Sequence, residues 1–248
     1  TLHHPQPQRR RSAAAFHGQQ LNMPTQDDAF PETVNVLGYQ LARVDLATAT
    51  DWALRRCRLR AEPALVVTLN PEIIIQARSD ERLETALKSA QLTVADGVGV
   101  LWAARRAGQT LPGRVPGVEL ATRLLQQGGP DLRVYFLGAA PGVAERAAAR
   151  ARDSWGTQVA GVEHGYFDRE TEGPAVVDRI AESGADLLLA GLGEGQELFL
   201  AEHLSELAVP VAIGVAGTIA VLAGHVRRTP GWTRKLGVEW LWRVGLDR

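Results

Sequence analysis

From Val34 onward, short apolar runs recur along the chain, each closed by Gly, Asn, Asp or Ala-Gly and followed by residues spaced for a helix. Leu65–Leu69 precedes Asn70, Leu92–Ala95 precedes Asp96, Val134–Leu137 precedes Gly138, Leu187–Ala190 precedes Gly191, and Val211–Val215 precedes Ala216 and Gly217. Such unbroken runs read as strands buried on both faces. Their alternation with helical segments predicts an α/β fold, a Rossmann-like and mainly parallel sheet with helices on both faces. Helices are expected over 71–78, 81–89, 98–107, 117–127, 141–152, 174–183, 196–207 and 217–225. Ahead of them, Val34–Gly38 and Gln40–Val44 read as two short strands, and Asp45 as the N-cap of an amphipathic helix carrying Leu46, Ala49, Ala53 and Leu54.

This pattern has a chemical consequence, because ligands of open α/β sheets bind beyond the carboxyl ends of the strands. Asn70, Asp96, Gly138, Gly191, Gly193 and Gly217 all fall at that end and would line one rim. Asp96 stands between a strand and a helix, where a carboxylate serves as a helix N-cap or as a general base, and the two roles are compatible. In Thr68-Leu-Asn-Pro-Glu72, Pro71 suits a first helical position and Asn70 its cap, while Thr68 and Asn70 point to the same rim as Asp96. The turn after Val134–Leu137, from Gly138 to Gly142, offers backbone N–H groups to a phosphate. Gly191-Leu-Gly-Glu-Gly-Gln-Glu197 is sharper, because its glycines let a ligand approach the backbone before Gln196 and Glu197 open a helix. A merely flexible turn is the competing explanation of that segment.

Composition narrows the options. The chain has 248 residues, 45% hydrophobic and 22% charged, enough for one globular domain with an appendage. With 27 basic against 28 acidic residues there is no global charge for binding nucleic acid. Cys57 is the only cysteine, which excludes internal disulfides and cysteine-based zinc sites. The histidines lack ligand spacing, and no Asp-x-Asp pair, Walker Lys-Ser/Thr, Gly-x-Ser-x-Gly elbow or proper dinucleotide fingerprint occurs. No metal or other cofactor is therefore expected, and an oxidoreductase is disfavoured. No apolar run reaches the roughly 18 residues of a membrane span.

The two ends differ from the body. Residues 1–33 carry four prolines, many Gln and the run Arg9-Arg-Arg11 without apolar periodicity, and are expected to be a disordered leader; Met23, the only Met, marks a candidate start. From His225 to Arg248 six basic residues face two acidic ones, so this tail is net +4 and the rest of the chain net −5. The tail also holds Trp232, Trp240 and Trp242, half of the six tryptophans. Interleaved Arg and Trp fit a helix on an anionic membrane surface, or a helix packing its indoles on the domain. The expected organisation is thus a leader over 1–33, a core over 34–225 and a basic, Trp-rich appendage over 226–248.

Taken together, the segments resemble the WecG/TagA/CpsF glycosyltransferases, glycosyltransferase family 26. The resemblance spans Val34 to Arg248 and rests on Thr68-Leu-Asn-Pro-Glu72, Asp96-Gly-Val-Gly-Val100, Arg114-Val-Pro-Gly117, Phe136-Leu-Gly138 with Pro141-Gly-Val143, Gly165-Tyr-Phe167, Gly191-Leu-Gly193 with Gln196-Glu197, Ala223-Gly224 with Arg228-x-Pro230, and Glu239-Trp-Leu-Trp-Arg243. It implies inverting, metal-independent transfer of an N-acetylmannosamine-type sugar from UDP to a GlcNAc-diphosphate-polyprenol acceptor, in cell-surface polysaccharide synthesis at the cytoplasmic face of the plasma membrane. On the same resemblance Asp96 is the base, Thr68 and Asn70 lie nearby, and Gln196 belongs to the nucleotide-sugar pocket. Arg228 and Arg243, on the appendage, would close over the diphosphate and help membrane attachment, and self-association is left open. Three departures stand out: Glu194-Gly195 where Pro-Lys is usual, Ile219-Ala220 where Phe-Asp is usual, and few residues after Arg243. The first two motivate the alternative of a degenerate member that binds UDP-sugar or lipid without turnover.

Overall fold

A computed structural model describes residues 30–224. The appendage expected over 226–248, with Arg228 and Arg243, and all but the last four residues of the expected leader lie outside the described residues.

Six strands form one all-parallel sheet. They are β3 (Ala64–Leu69), β4 (Leu92–Ala95), β5 (Arg133–Gly138), β6 (Gln158–Glu163), β7 (Leu187–Gly191) and β8 (Val211–Gly214), in the spatial order β4-β3-β8-β7-β5-β6. The five runs read from hydrophobicity supply β3, β4, β5, β7 and β8. β6 is an addition to them, because it is an edge strand of half-buried residues, with Gly161 in its middle and no apolar run to signal it. The first two expected strands, β1 (Thr33–Val36) and β2 (Tyr39–Ala42), pair antiparallel with each other outside the main sheet. Their two-residue turn places Leu37 at φ 55° and Gly38 at φ 89°, the left-handed pair that matches the twist of a tight hairpin.

Helices cover both faces. On one side α1 (Leu46–Leu59), α5 (Gly117–Gly128), α6 (Val143–Trp155) and α10 (Thr218–Leu222) bury Leu54, Leu120, Leu124, Ala147 and Ile219 against Val66, Val134, Phe136, Leu189 and Ile213. On the other, α2 (Pro71–Ala77), α3 (Glu81–Lys88), α4 (Val98–Arg106), α7 (Gly173–Ser183), α8 (Gln196–Glu202) and α9 (Leu204–Leu207) close over Leu65, Val67, Leu69, Leu137 and Leu188. Alternate residues of each strand thus enter opposite cores, the period-2 geometry of a sheet buried on both faces. The expected helix over 196–207 is two helices, broken where His203 leaves helical geometry at φ −105°, ψ 10°.

The first three helices start at side-chain caps. Asp45 caps α1 by accepting from Thr48 N–H, Asn70 caps α2 from Ile73 N–H, and Asp80 caps α3 from Leu83 N–H.

The chain order fixes where a ligand would sit. β5 leads through α6 on one face outward to β6, whereas β7 leads through α8 and α9 on the other face inward to β8. The direction of winding therefore reverses between neighbours β5 and β7. A crevice opens at such a reversal beyond the carboxyl ends of the strands.

Candidate active site

On the β3–β4 side of the rim, backbone pairing runs past the strand ends. Asp96 N–H donates to Leu69 O at 2.8 Å, and Val115 N–H donates to Ala95 O at 2.7 Å. Val115 is buried, and Pro116 then turns the chain into α5. The first amide of that helix, Gly117 N–H, donates to Asp96 Oδ2 at 3.2 Å. Asp96 does meet a helix N-terminus, but that of α5 and not of the helix following it in sequence. The N-cap of α4 is Gly97, at φ 95° and with no side-chain bond. A side chain on Gly117 would come within 3.1 Å of Thr68 Oγ1, so Thr68 lies against the same residue that holds Asp96.

Asn70 and Asp96 are joined through their turns. Ile73 N–H donates to Asn70 Oδ1 at 3.0 Å, and Pro71 occupies the first turn of α2. The ring of Pro71 packs on the start of α4, where a Cβ on Gly99 would fall 2.7 Å from Pro71 Cγ. Gly99 is thus small because Pro71 is there, and the Thr-x-Asn-Pro and Asp-Gly-x-Gly segments form one packed unit. Thr68, Asn70 and Asp96 are all half-buried, within reach of solvent.

At the β5–β7 reversal three loops meet backbone to backbone. Gly138 pairs with Gly191 in register and has φ 127°; any side chain on it would run into the Gly191 carbonyl. Ala139 N–H donates to that carbonyl at 3.0 Å, and Gly165 N–H, from the loop after β6, donates to Ala139 O at 2.8 Å. Gly191 in turn faces Ala216 O, which would lie 2.6 Å from an added Cβ. These glycines are required by close approach of chains. Gly193 differs, having φ 72° and open space within 4 Å of where a Cβ would sit, so its contribution is conformational.

Gln196 and Glu197 turn inward. Both are buried, at 4% and 9% exposure, and Gln196 Nε2 donates to Glu197 Oε1 at 2.7 Å. Gln196 Oε1 accepts from Ala216 N–H at 3.2 Å, so the pair braces the loop after β8. Desolvation pushes the Glu197 carboxyl above its ordinary range, against the opposing pull of the Gln196 amide and the Arg169 charge. Arg169 is a residue that the sequence reading does not single out. It comes from the loop after β6 and reaches the loop after β7, where Nη2 donates to Leu192 O at 2.9 Å. The sequence reading marks Gly165-Tyr-Phe167 in the same loop, but nothing in that pattern distinguishes Arg169.

The structure therefore brings Thr68, Asn70 and Asp96 together at the β3–β4 end of the rim and Gly138, Gly191 and Gly193 toward the β5–β7 end, with the Gln196 and Glu197 side chains between them against β8. Four inter-strand spacings of about 4.8 Å separate β4 from β5, so the rim extends ~19 Å. An elongated ligand suits it better than a compact one. Among the described residues, no three His, Cys, Asp or Glu side chains group to hold a metal ion.

Comparison with known proteins identifies the family. The family model described as the Glycosyl transferase WecG/TagA/CpsF family matches residues 34–247. The N-acetylglucosaminyldiphosphoundecaprenol N-acetyl-beta-D-mannosaminyltransferase of Bacillus spizizenii is 35% identical over 184 residues, covering 73% of this chain and 70% of the relative. The protein of the same name from Staphylococcus aureus is 34% identical, covering 73% of this chain and 72% of its own length. The match takes in both ends of the rim, and the chain belongs to the WecG/TagA/CpsF family of glycosyltransferases.

Proposed function

We propose that this glycosyltransferase moves an N-acetylmannosamine-type sugar from UDP to a GlcNAc-diphosphate-polyprenol acceptor in cell-surface polysaccharide synthesis. The donor and acceptor classes come from the names of the two relatives and from the resemblance in sequence. The observation that carries the chemistry is the Asp96 carboxylate, half-buried beyond β4 with one oxygen oriented by Gly117 N–H. In the reaction an acceptor hydroxyl oxygen attacks the anomeric carbon of the donor, and its proton passes to Asp96. The bond from that carbon to the diphosphate oxygen breaks as the new glycosidic bond forms, and UDP departs. Attack from the side opposite the leaving group inverts the anomeric configuration.

The leaving diphosphate needs positive charge, which we assign to arginines and not to a metal ion. Guanidinium groups bind phosphate oxygens in pairs, and Arg228 and Arg243 are the candidates read from sequence. The acceptor is lipid-linked, and among the described residues no helix is long and apolar enough to cross a membrane. Peripheral attachment at the cytoplasmic face through the basic, Trp-rich tail completes the reading.

The test is UDP release across a panel of UDP-sugars with a GlcNAc-diphosphate-lipid acceptor, with and without chelator. Asp96→Asn should lower turnover by roughly 10²- to 10⁴-fold, the span of general-base catalysis, while UDP binding persists. Near-normal turnover in that variant would remove Asp96 from the mechanism. Release abolished by chelator would overturn the metal-free step. UDP binding without release from any donor would identify a degenerate member.

A further inference from the structure

Within the proposed UDP-sugar reading, we infer that Arg169 is a binding residue for the donor's diphosphate, presented at the crevice between β5 and β7. Its loop is anchored to both walls of that crevice. Gly165 N–H donates to Ala139 O of the loop after β5, and Phe167 packs edge-on against Phe199 of α8 with ring centroids 5.9 Å apart. The turn carrying Arg169 is closed on itself. Asp168 Oδ1 accepts from Glu170 N–H, Thr171 N–H and Thr171 Oγ1–H, while Glu172 Oε2 accepts from Asp168 N–H. Those bonds hold the Asp168 carboxylate below its ordinary range and commit its Oδ1 to the turn, while the carboxylate that feels the Arg169 charge is the buried Glu197.

The guanidinium lies where position 195 would carry a side chain. A Cβ on Gly195, which has φ 73°, would fall 2.7 Å from Arg169 Nη1. Gly195 thus leaves that space to the guanidinium. Among the described residues Arg169 donates to a carbonyl, Leu192 O, and pairs with no carboxylate within 4.0 Å. A guanidinium has five N–H donors, and one carbonyl leaves most of them for phosphate oxygens. A half-buried cation held against the loop after β7 at the winding reversal is preorganised for an anion.

The experiment compares UDP with uridine, titrated by NMR against the full chain and its Arg169→Ala and Arg169→Lys variants. Arg169→Ala should weaken UDP about 10- to 100-fold, as for loss of charged hydrogen bonds, and leave uridine unchanged. Arg169→Lys should recover part of the loss. Equal weakening of both ligands would make Arg169 a loop clamp and overturn the inference, as would undiminished UDP binding. A wild-type chain that binds no UDP would instead overturn the functional reading on which the inference rests.

Discussion

Glu197 carries a conflict that a single substitution can expose. Its carboxyl is buried beneath the loop after β8, where Oε1 receives Gln196 Nε2 and would lie 2.9 Å from a side chain on Gly214. Burial disfavours the ionised form, so the folded-state pKa is raised from the ordinary 4.5. Between those two values the folded chain binds more protons than the unfolded one, so stability falls as pH rises. The contribution is fully present below about pH 4.5 and is lost as pH passes through the raised folded value. Glu197→Gln keeps the oxygen that accepts from Gln196 and cannot ionise. Its melting temperature relative to the wild-type chain should therefore improve from pH 4 to pH 8. A difference independent of pH would mean that water reaches the carboxylate.

At the scale of loops and strands, the glycines of the rim divide into two kinds, and substitution separates them. Gly138 combines φ 127° with a lack of room for a Cβ, which would fall 2.3 Å from the Gly191 carbonyl oxygen. Gly138→Ala must push β5 from β7 at the crevice, and strain added to overpacking should cost about 3 kcal/mol. Gly193 has only the backbone requirement, so Gly193→Ala should cost about 1 kcal/mol. Urea midpoints of the two variants measure both values. Equal losses would mean that the loop after β7 is as tightly packed as the strand ends.

The same elements show what can be read from sequence. Buried parallel strands announce themselves as apolar runs, which is why β3, β4, β5, β7 and β8 and the rim they define are legible. β6 is not, since its Gly161 makes room for the Tyr135 ring and its edge position leaves its residues half-buried. Asp96 is legible as a residue at a strand end. Its partner Gly117 is not, because that hydrogen bond joins positions far apart in sequence. Gln196 and Glu197 read as rim residues opening a helix, yet their side chains turn beneath the neighbouring loop. The sequence also suggests a cation lost at Glu194-Gly195, whereas Arg169 brings one to that place from another loop.

For the whole molecule, the near-cancellation of 27 basic and 28 acidic residues conceals a polarity along the chain. The tail after Gly224 is net +4 and carries three tryptophans, while everything before it is net −5. An acidic body is repelled by an anionic bilayer, so the proposed membrane attachment requires attraction that is local. Among the described residues Trp102 of α4 is 64% exposed with Arg106 lying 5.5 Å from its ring, on the helix that begins beside Asp96. A membrane contact there would bring a lipid-linked acceptor to the β4 end of the rim. Deleting residues 229–248 removes four basic and two acidic side chains along with all three tail tryptophans. At about 1 kcal/mol per net charge near an anionic surface, binding to phosphatidylglycerol vesicles should weaken by about 2 kcal/mol, or roughly 30-fold, before any contribution from the indoles. Raised salt should narrow that difference, because screening acts on the charge alone. Cosedimentation with anionic and neutral vesicles measures both effects. Undiminished binding of the shortened chain would assign membrane attachment to the body and leave the tail's charge to the departing diphosphate.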